Sequence, residues 1–399
     1  MYQALYRKYR PKTFDEVVGQ EVIVKTLKNA IKNNCVSHAY LFAGPRGTGK
    51  TSIAKIFAKI LNCQNLDGFT PCNKCVSCEQ ADNNQNIDII EIDAASNNGV
   101  DEIREIRNKI TLVPTNSKYK IYIVDEVHML TTQAFNALLK SLEEPPAHII
   151  FIFATTEPHK IPKTILSRCQ RFDYKKVTDD QIVDRLSFIA TKEKIKITEE
   201  SLKEIAKLSD GGMRDSISLL DQSLAYSDGE ITINDIHDIN GTITDDDLNN
   251  FIFNILNKDL INLLKLLEEY DNKGKNFVKI IQELINKLKD CLIYNNAQEL
   301  INYDLAFFKK IKDLNVDHDI YKIIKVLSNL LGELKTVNNN KLLLEIEFIK
   351  LLSDSNSSSS IDVPKIIGDT IFIILPNIFF TDIYFFLLLL FVTSIYINS

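Results

Sequence analysis

The sequence predicts an α/β fold: a P-loop αβα sandwich, then a small helical lid, then an all-α C-terminal domain. Three observations predict it. First, the glycine-rich octapeptide Gly44-Pro45-Arg46-Gly47-Thr48-Gly49-Lys50-Thr51 lies between the apolar run Ala39-Tyr40-Leu41-Phe42-Ala43 and a helix-forming stretch that opens Ser52-Ile53-Ala54-Lys55-Ile56-Phe57-Ala58. Strand, loop and helix in this order give the short pattern its meaning as a phosphate-binding loop. Second, the runs Tyr119-Lys120-Ile121-Tyr122-Ile123-Val124 and Ile149-Ile150-Phe151-Ile152-Phe153 alternate with helical stretches, as a sheet covered on both faces requires. Third, from Asp245 to about Leu352 apolar residues such as Leu260, Leu263, Leu264, Leu266 and Leu267 recur at helical spacing, with no strand signal.

The loop carries the first chemical statement. Glycines let the backbone wrap around phosphate oxygens, so that N–H groups and the helix N-terminus meet the negative charge. The cradle runs from Gly44 through Pro45, Arg46, Gly47, Thr48, Gly49, Lys50 and Thr51 to Ser52. Lys50 reaches the β- and γ-phosphates, and Thr51 offers its hydroxyl to Mg²⁺. The expected ligand is a nucleoside triphosphate.

The second strand says what happens to that ligand. It ends in Asp125-Glu126-Val127-His128. Acids at the carboxyl end of a parallel strand stand where ligands bind in open α/β sheets. Asp125 can hold Mg²⁺ through water, and Glu126 can polarise the water that attacks the γ-phosphate. The third strand is followed by Ala154-Thr155-Thr156-Glu157-Pro158; Thr156, or second Thr155, would hydrogen-bond the γ-phosphate or that water. Asp88-Ile89-Ile90-Glu91-Ile92-Asp93 reads as a further strand.

With these elements placed, the chain resembles the bacterial DNA polymerase III gamma/tau family. The resemblance rests on Tyr6-Arg7-Lys8-Tyr9-Arg10-Pro11-Lys12-Thr13-Phe14-Asp15-Glu16-Val17-Val18-Gly19-Gln20, His38-Ala39-Tyr40-Leu41-Phe42, the P-loop, and Asp125-Glu126-Val127-His128-Met129-Leu130. It continues in Ala137-Leu138-Leu139-Lys140-Ser141-Leu142-Glu143-Glu144-Pro145-Pro146, Ser167-Arg168-Cys169 and Gly211-Gly212-Met213-Arg214-Asp215. It is dense over residues 1–240, helical in character to about 352, and absent beyond. It implies an AAA+ ATPase, the motor of the sliding-clamp loader. Such a motor works in a ring-like hetero-pentamer with the other clamp-loader subunits, with ATP at the interfaces. Its partners would be the sliding clamp and primer–template DNA. No polymerase active site is recognisable. The rival readings are another AAA+ motor, such as a branch-migration helicase, and a non-hydrolysing scaffold that uses ATP only to assemble.

The resemblance also implies roles for two arginines. Arg168 looks like the finger that projects into the neighbouring subunit's ATP site, and Arg214 like a lid sensor touching the same phosphate in cis. In other P-loop enzymes such fingers supply on the order of 10³–10⁵ in rate. All nine arginines lie at or before Arg214, and the rest of the chain uses lysine alone as its strong base. Arginine kept in such a chain suggests sites that need a planar fork.

Cys63, Cys72, Cys75 and Cys78 form a Cys-x8-Cys-x2-Cys-x2-Cys arrangement within 16 residues. Four thiolates this close, with Pro71 and Asn73 allowing tight turns, suit a structural tetrahedral Zn²⁺. Disulfides would need an oxidising compartment, whereas the substrate is a cytosolic nucleotide and no signal peptide is recognised. Cys35, Cys169 and Cys291 are expected to be plain buried or half-buried thiols.

With 47 basic and 53 acidic residues among 399, the net charge of −6 excludes a chain-wide nucleic-acid footprint. Any DNA contact must be a local stripe, and Arg104, Lys109, Lys118 and Lys120 are candidates by charge. The expected domains are a core at 1–177 with the cysteine insertion at 63–78, a lid at 178–242 opened by the capping box Thr178-Asp179-Asp180-Gln181, and a helical oligomerisation collar at 243–353. A serine-rich linker and apolar tail fill 354–399. The tail could be a membrane anchor, a docking helix or hairpin, or out-of-frame translation of an AT-rich gene. Ile383–Ile397 gives only 15 residues against the roughly 20 that a span needs. The last reading is favoured, with a cytoplasmic protein and no stable membrane association.

Overall fold

A computed structural model describes residues 3–83, 85–99, 110, 112–301, 303–337 and 339–353. Arg104, Lys109 and the expected linker and tail from 354 onward lie outside the described residues. The chain divides into two units: Met1–Asn249 with Asn272–Glu283, and Asn250–Asp271 with the remainder from Leu284.

The first unit opens with two helices, α1 (Leu5–Lys8) and α2 (Glu21–Lys32). Strand β1 (Ala39–Ala43) leads into α3 (Lys50–Leu61). A short helix α4 (Val76–Asp82) precedes β2 (Ile89–Asp93) and β3 (Lys120–Asp125). Then come α5 (Thr132–Glu143), β4 (Ile149–Thr155), α6 (Lys163–Leu166) and β5 (Gln170–Asp173). The five strands are parallel, in the order β2-β3-β4-β1-β5.

The three inner strands form where they do because both faces of the sheet there must be apolar. Side chains alternate along a strand, so a run with no polar interruption can feed two cores at once. Tyr40, Phe42, Ile121, Ile123, Ile150 and Ile152 pack on one face with Ile53, Ala54 and Phe57 of α3 and with Ile23 and Leu27 of α2. Leu41, Tyr122, Val124, Phe151 and Phe153 pack on the other with Ala134, Phe135, Leu138 and Leu142 of α5. Each fully buried aromatic or aliphatic side chain contributes about 1.5–3 kcal/mol.

Two expectations need correction, and one strand has no local signal in the sequence. Strand β5 was not predicted: only Phe172 of its four residues is buried, so this edge strand lacks the continuous apolar run that marks the inner ones. Lys120 is buried at the start of β3, beside Asp88, which removes it as a surface for DNA; Lys118 is exposed. Cys35 is exposed rather than buried, in the turn that follows α2, whereas Cys169 is half-buried and Cys291 buried.

The lid consists of α7 (Asp179–Glu193), α8 (Glu199–Leu208), α9 (Met213–Tyr226) and α10 (Ile233–Asn240). Thr178 and Gln181 form the expected capping box, and Thr232 with Asp235 forms a second. Ile182, Leu186, Ile189, Leu202, Ile205, Ile217 and Leu220 make its core, which Leu5 and Val177 join. The N-terminal segment is fastened there by the Leu5 N–H donating to Asp221 and by Arg185 donating to the Tyr9 carbonyl.

Six further helices follow: α11 (Asp245–Leu256), α12 (Leu260–Asn272), α13 (Phe277–Asn296), α14 (Leu305–Asp313), α15 (Asp317–Leu334) and α16 (Asn340–Ser353). Within the second unit Phe251 stacks on Tyr270 and meets Phe348 edge-on. Lys287 is buried there with its ammonium 2.7 Å from Asp304 and against the rings of Tyr303, Phe307 and Phe308. Among the described residues no helix is long and apolar enough to cross a membrane.

Candidate nucleotide-binding site

The glycine-rich loop connects β1 to α3, and its glycines are sterically required. Gly44 has φ +150°, and a Cβ there would stand 2.6 Å from the Tyr174 carbonyl oxygen. Gly47 has φ +75°, and a Cβ would meet the Gly212 backbone of the lid at 3.0 Å. Loop and lid therefore touch through glycine on both sides, and the Arg214 N–H donates to the Gly47 carbonyl across the same contact. Thr48 closes the loop on itself by donating to the Pro45 carbonyl at 2.8 Å. Gly49 caps α3, so the loop delivers the helix N-terminus to its own concave side.

Lys50 is buried, and its ammonium donates to the carbonyls of Gly44 at 2.8 Å and Pro45 at 2.7 Å. Burial pushes its pKa below the ordinary lysine value, against the opposing pull of Glu126 and Asp125. Beside it Thr51 Oγ1 donates to Asp125 Oδ2 at 2.7 Å. The Glu126 N–H donates to the other Asp125 oxygen at 3.0 Å. Glu126 itself has φ +46° and ψ +45°, a left-handed conformation uncommon outside glycine and asparagine. Its Oε2 accepts from the Thr156 hydroxyl at 3.0 Å and from the Thr156 N–H at 3.3 Å. Lys50, Thr51, Asp125, Glu126 and Thr156 thus converge at the carboxyl ends of β1, β3 and β4. Thr155 is fully buried and faces His128 instead.

The arginines are placed differently. Arg214 lies over the Tyr6 ring at 5.2 Å, beside the loop that its backbone contacts. Arg46 is exposed on the loop. Arg168 makes its bonds outside this group, donating to Glu143 Oε1 at 2.6 Å and to the Thr164 carbonyl at 2.7 Å. Arg10, for which the sequence suggests no role, reaches the site: its Nε donates to Ser52 Oγ at 3.0 Å, with Glu91, Asp125 and Arg214 as charged neighbours. Its signal in the sequence was only that arginine is scarce.

The donor set fits the expected ligands. A threonine hydroxyl paired with a carboxylate oxygen is a hard-oxygen grouping suited to Mg²⁺, and the lysine and helix N-terminus suit phosphate. The four cysteine Sγ atoms all lie within 4.8 Å of one another, against about 3.8 Å for the edge of a Zn–S tetrahedron. Cys75 and Cys78 are buried, Cys63 and Cys72 half-buried. Asn73 supplies the left-handed turn between the thiols, with φ +54°. The Lys74 N–H draws the Cys72 thiol down to about 6, whereas burial pushes the Cys63 and Cys78 thiols up, so a bound metal would have to displace their protons. The cluster is tied to the phosphate-loop helix, because Lys59 of α3 holds both oxygens of Asp82 on α4 at 2.6 and 2.7 Å.

Comparison with known proteins adds the lineage. Residues 19–178 match the family described as DNA polymerase III, delta subunit, and residues 181–229 that described as DNA polymerase III clamp loader subunit, ATPase lid domain. The chain is 45% identical over 371 residues to DNA polymerase III subunit tau of Bacillus subtilis, covering 92% of this chain and 66% of that one. It is 37% identical over 361 residues to DNA polymerase III subunit gamma of Buchnera aphidicola, covering 88% of this chain and 97% of that one. It spans 42% to 66% of the length of the tau and gamma/tau relatives it matches. Among solved structures it is similar to the Thermotoga maritima RuvB Holliday junction branch migration motor, with a TM-score of 0.44 and 19% identity over 69% of this chain and 91% of that one. That likeness decides nothing between motor families. The identity across nearly all of a gamma subunit does: the chain belongs to the DNA polymerase III gamma/tau family.

Proposed function

We propose that the chain is an ATP-hydrolysing motor subunit of a clamp loader, which uses ATP to place a sliding clamp on primed DNA. The observation that carries this is the convergence of Thr51, Asp125, Glu126 and Thr156 beside a phosphate loop. A protein that only binds a nucleotide needs the loop, whereas one that hydrolyses it needs a group to orient water.

In this reading the loop N–H groups and Lys50 hold the β- and γ-phosphates. Thr51 and Asp125 hold Mg²⁺, which would draw charge from the phosphate oxygens. Glu126 orients the attacking water, and Thr156 aligns Glu126 with the γ-phosphate. Arg214 would reach the same phosphate from the lid. Arg168, which makes its bonds outside this group, would act in a neighbouring subunit's site and neutralise charge there in the transition state. The four cysteines would hold a structural Zn²⁺, and the helices beyond residue 243 would serve as the oligomerisation collar.

The test is steady-state ATP hydrolysis by the purified chain, alone and with its partner subunits, clamp and primed DNA. Hydrolysis that rises on assembly and again with clamp and primed DNA supports the proposal. Nucleotide binding with no turnover under any of these conditions would make the chain an ATP-dependent scaffold.

A further inference from the structure

We infer that His128 is a positioning residue for Glu126, setting the direction of its carboxylate from inside the protein. The inference rests on Glu126 being the group that orients water.

The imidazole is almost wholly buried, with 6% of its side chain exposed, and is wedged between two carboxylates. Nδ1 lies 3.1 Å from Thr155 Oγ1 and 3.4 Å from Glu126 Oε2. Nε2 lies 3.4 Å from Glu157 Oε1. Thr155 joins the chain of contacts, since its hydroxyl oxygen accepts the Glu157 N–H at 3.0 Å. The ring thus joins the tip of β3 to the tip of β4, and its two edges serve different partners.

The backbone explains how it gets there. Left-handed φ at Glu126 turns the chain sharply off the end of β3, and the short 3-10 turn Val127–Met129 follows. Val127 is buried in the sheet core and anchors that turn. A non-glycine residue in this conformation costs on the order of 1 kcal/mol, and it persists only where its surroundings over-determine it. Val127 on the core side and His128 beneath the carboxylate are those surroundings.

The contacts also leave the carboxylate lopsided. Both Thr156 bonds and the His128 approach fall on Oε2. Among the described residues no protein group bonds Oε1, so that oxygen is the one presented to a water. A satisfied core histidine would pack as well, but its identity would matter to folding alone. A positioning histidine must matter to turnover and not to nucleotide affinity.

Three substitutions in the full chain, assayed with its partner subunits, separate these roles. Asparagine places its amide where Nδ1 stands, and glutamine extends toward the position of Nε2. His128→Ala should lower kcat by roughly ten- to a hundredfold, with KM for ATP changed less than about twofold. His128→Asn should recover most of the loss, and His128→Gln little of it. Equal rescue by both, an unchanged kcat in His128→Ala, or a loss confined to ATP affinity and melting temperature would overturn the inference. Should the alanine variant fail to fold, the asparagine and glutamine pair still decides by the same split. Glu126→Gln is the separate control. If it abolishes turnover while His128→Ala leaves it intact, only the positioning role fails; if it hydrolyses at the parent rate, the reading of Glu126 fails and this inference with it.

Discussion

Thr51 Oγ1 donates to Asp125 Oδ2 at 2.7 Å, joining two residues 74 positions apart in the chain. The sheet order makes the meeting possible. β1, β4 and β3 are neighbours and run parallel, so the loop after β1 and the acid ending β3 open on the same edge. Neither oxygen is remarkable alone, and together they form the hard-oxygen pair on which the proposed chemistry depends.

Lys50→Ala should abolish nucleotide binding, because the lysine serves the phosphates in the ground state. Glu126→Gln should retain binding and lose turnover by roughly 10²–10⁴, because the glutamate serves only the water. Fluorescent-nucleotide titration and phosphate release read the two effects separately. A glutamine variant with normal phosphate release would show that another group orients the water.

Arg168→Ala should leave nucleotide affinity of the isolated chain near normal and depress hydrolysis in the assembled complex. The Glu143 bond that this change removes is exposed and worth little, about 0–1 kcal/mol, so stability should hardly move. Mixing the variant with a Lys50→Ala chain should restore part of the activity, since each working site would combine two chains. No recovery at any mixing ratio would count against action in trans.

Metal analysis of reduced protein should find one zinc per chain, and Cys72→Ser should lose it. Because Lys59 and Asp82 fasten the cluster to α3, metal loss should lower the melting temperature of the whole first unit without removing any phosphate contact. Protein free of zinc that melts normally would remove the site from consideration.

Glu283 supplies a pH test. Burial pushes its carboxyl up to about 7, helped by Glu204 and Asp245 and opposed by Lys207 and Lys279. A folded-state pKa above the unfolded one means the folded chain prefers the proton. The associated stability is present below about pH 4.3, the ordinary glutamate value, and is lost as pH rises toward 7. Glu283→Gln, which mimics the protonated form, should therefore match the parent at pH 4 and exceed it at pH 8. The limit is about 4 kcal/mol, and partial exposure should reduce it. Urea unfolding at the two pH values checks this, and a constant difference would contradict it.

The elements that read directly from the sequence are those with a local cause. The apolar runs Ala39–Ala43, Ile121–Val124 and Ile149–Phe153 had to lie in inner strands, because only a doubly covered sheet hides such runs. The glycine loop, the Thr178 capping box and the cysteine spacing are likewise short-range patterns, and each appears where expected. What failed was whatever lacked a local cause. Strand β5 exists because β1 offers it an edge, not because Gln170–Asp173 favours extension. Lys120 is buried by its strand position despite its charge.

The sequence by itself determined the fold class, the phosphate loop and the residue types available to the site, because backbone sterics and hydrophobic periodicity act over a few residues. The tertiary structure alone decided which side chains meet. It brought Arg10 to Ser52, set Thr156 rather than Thr155 against Glu126, and put His128 between two glutamates, because contacts across strands depend on register and no local pattern encodes them.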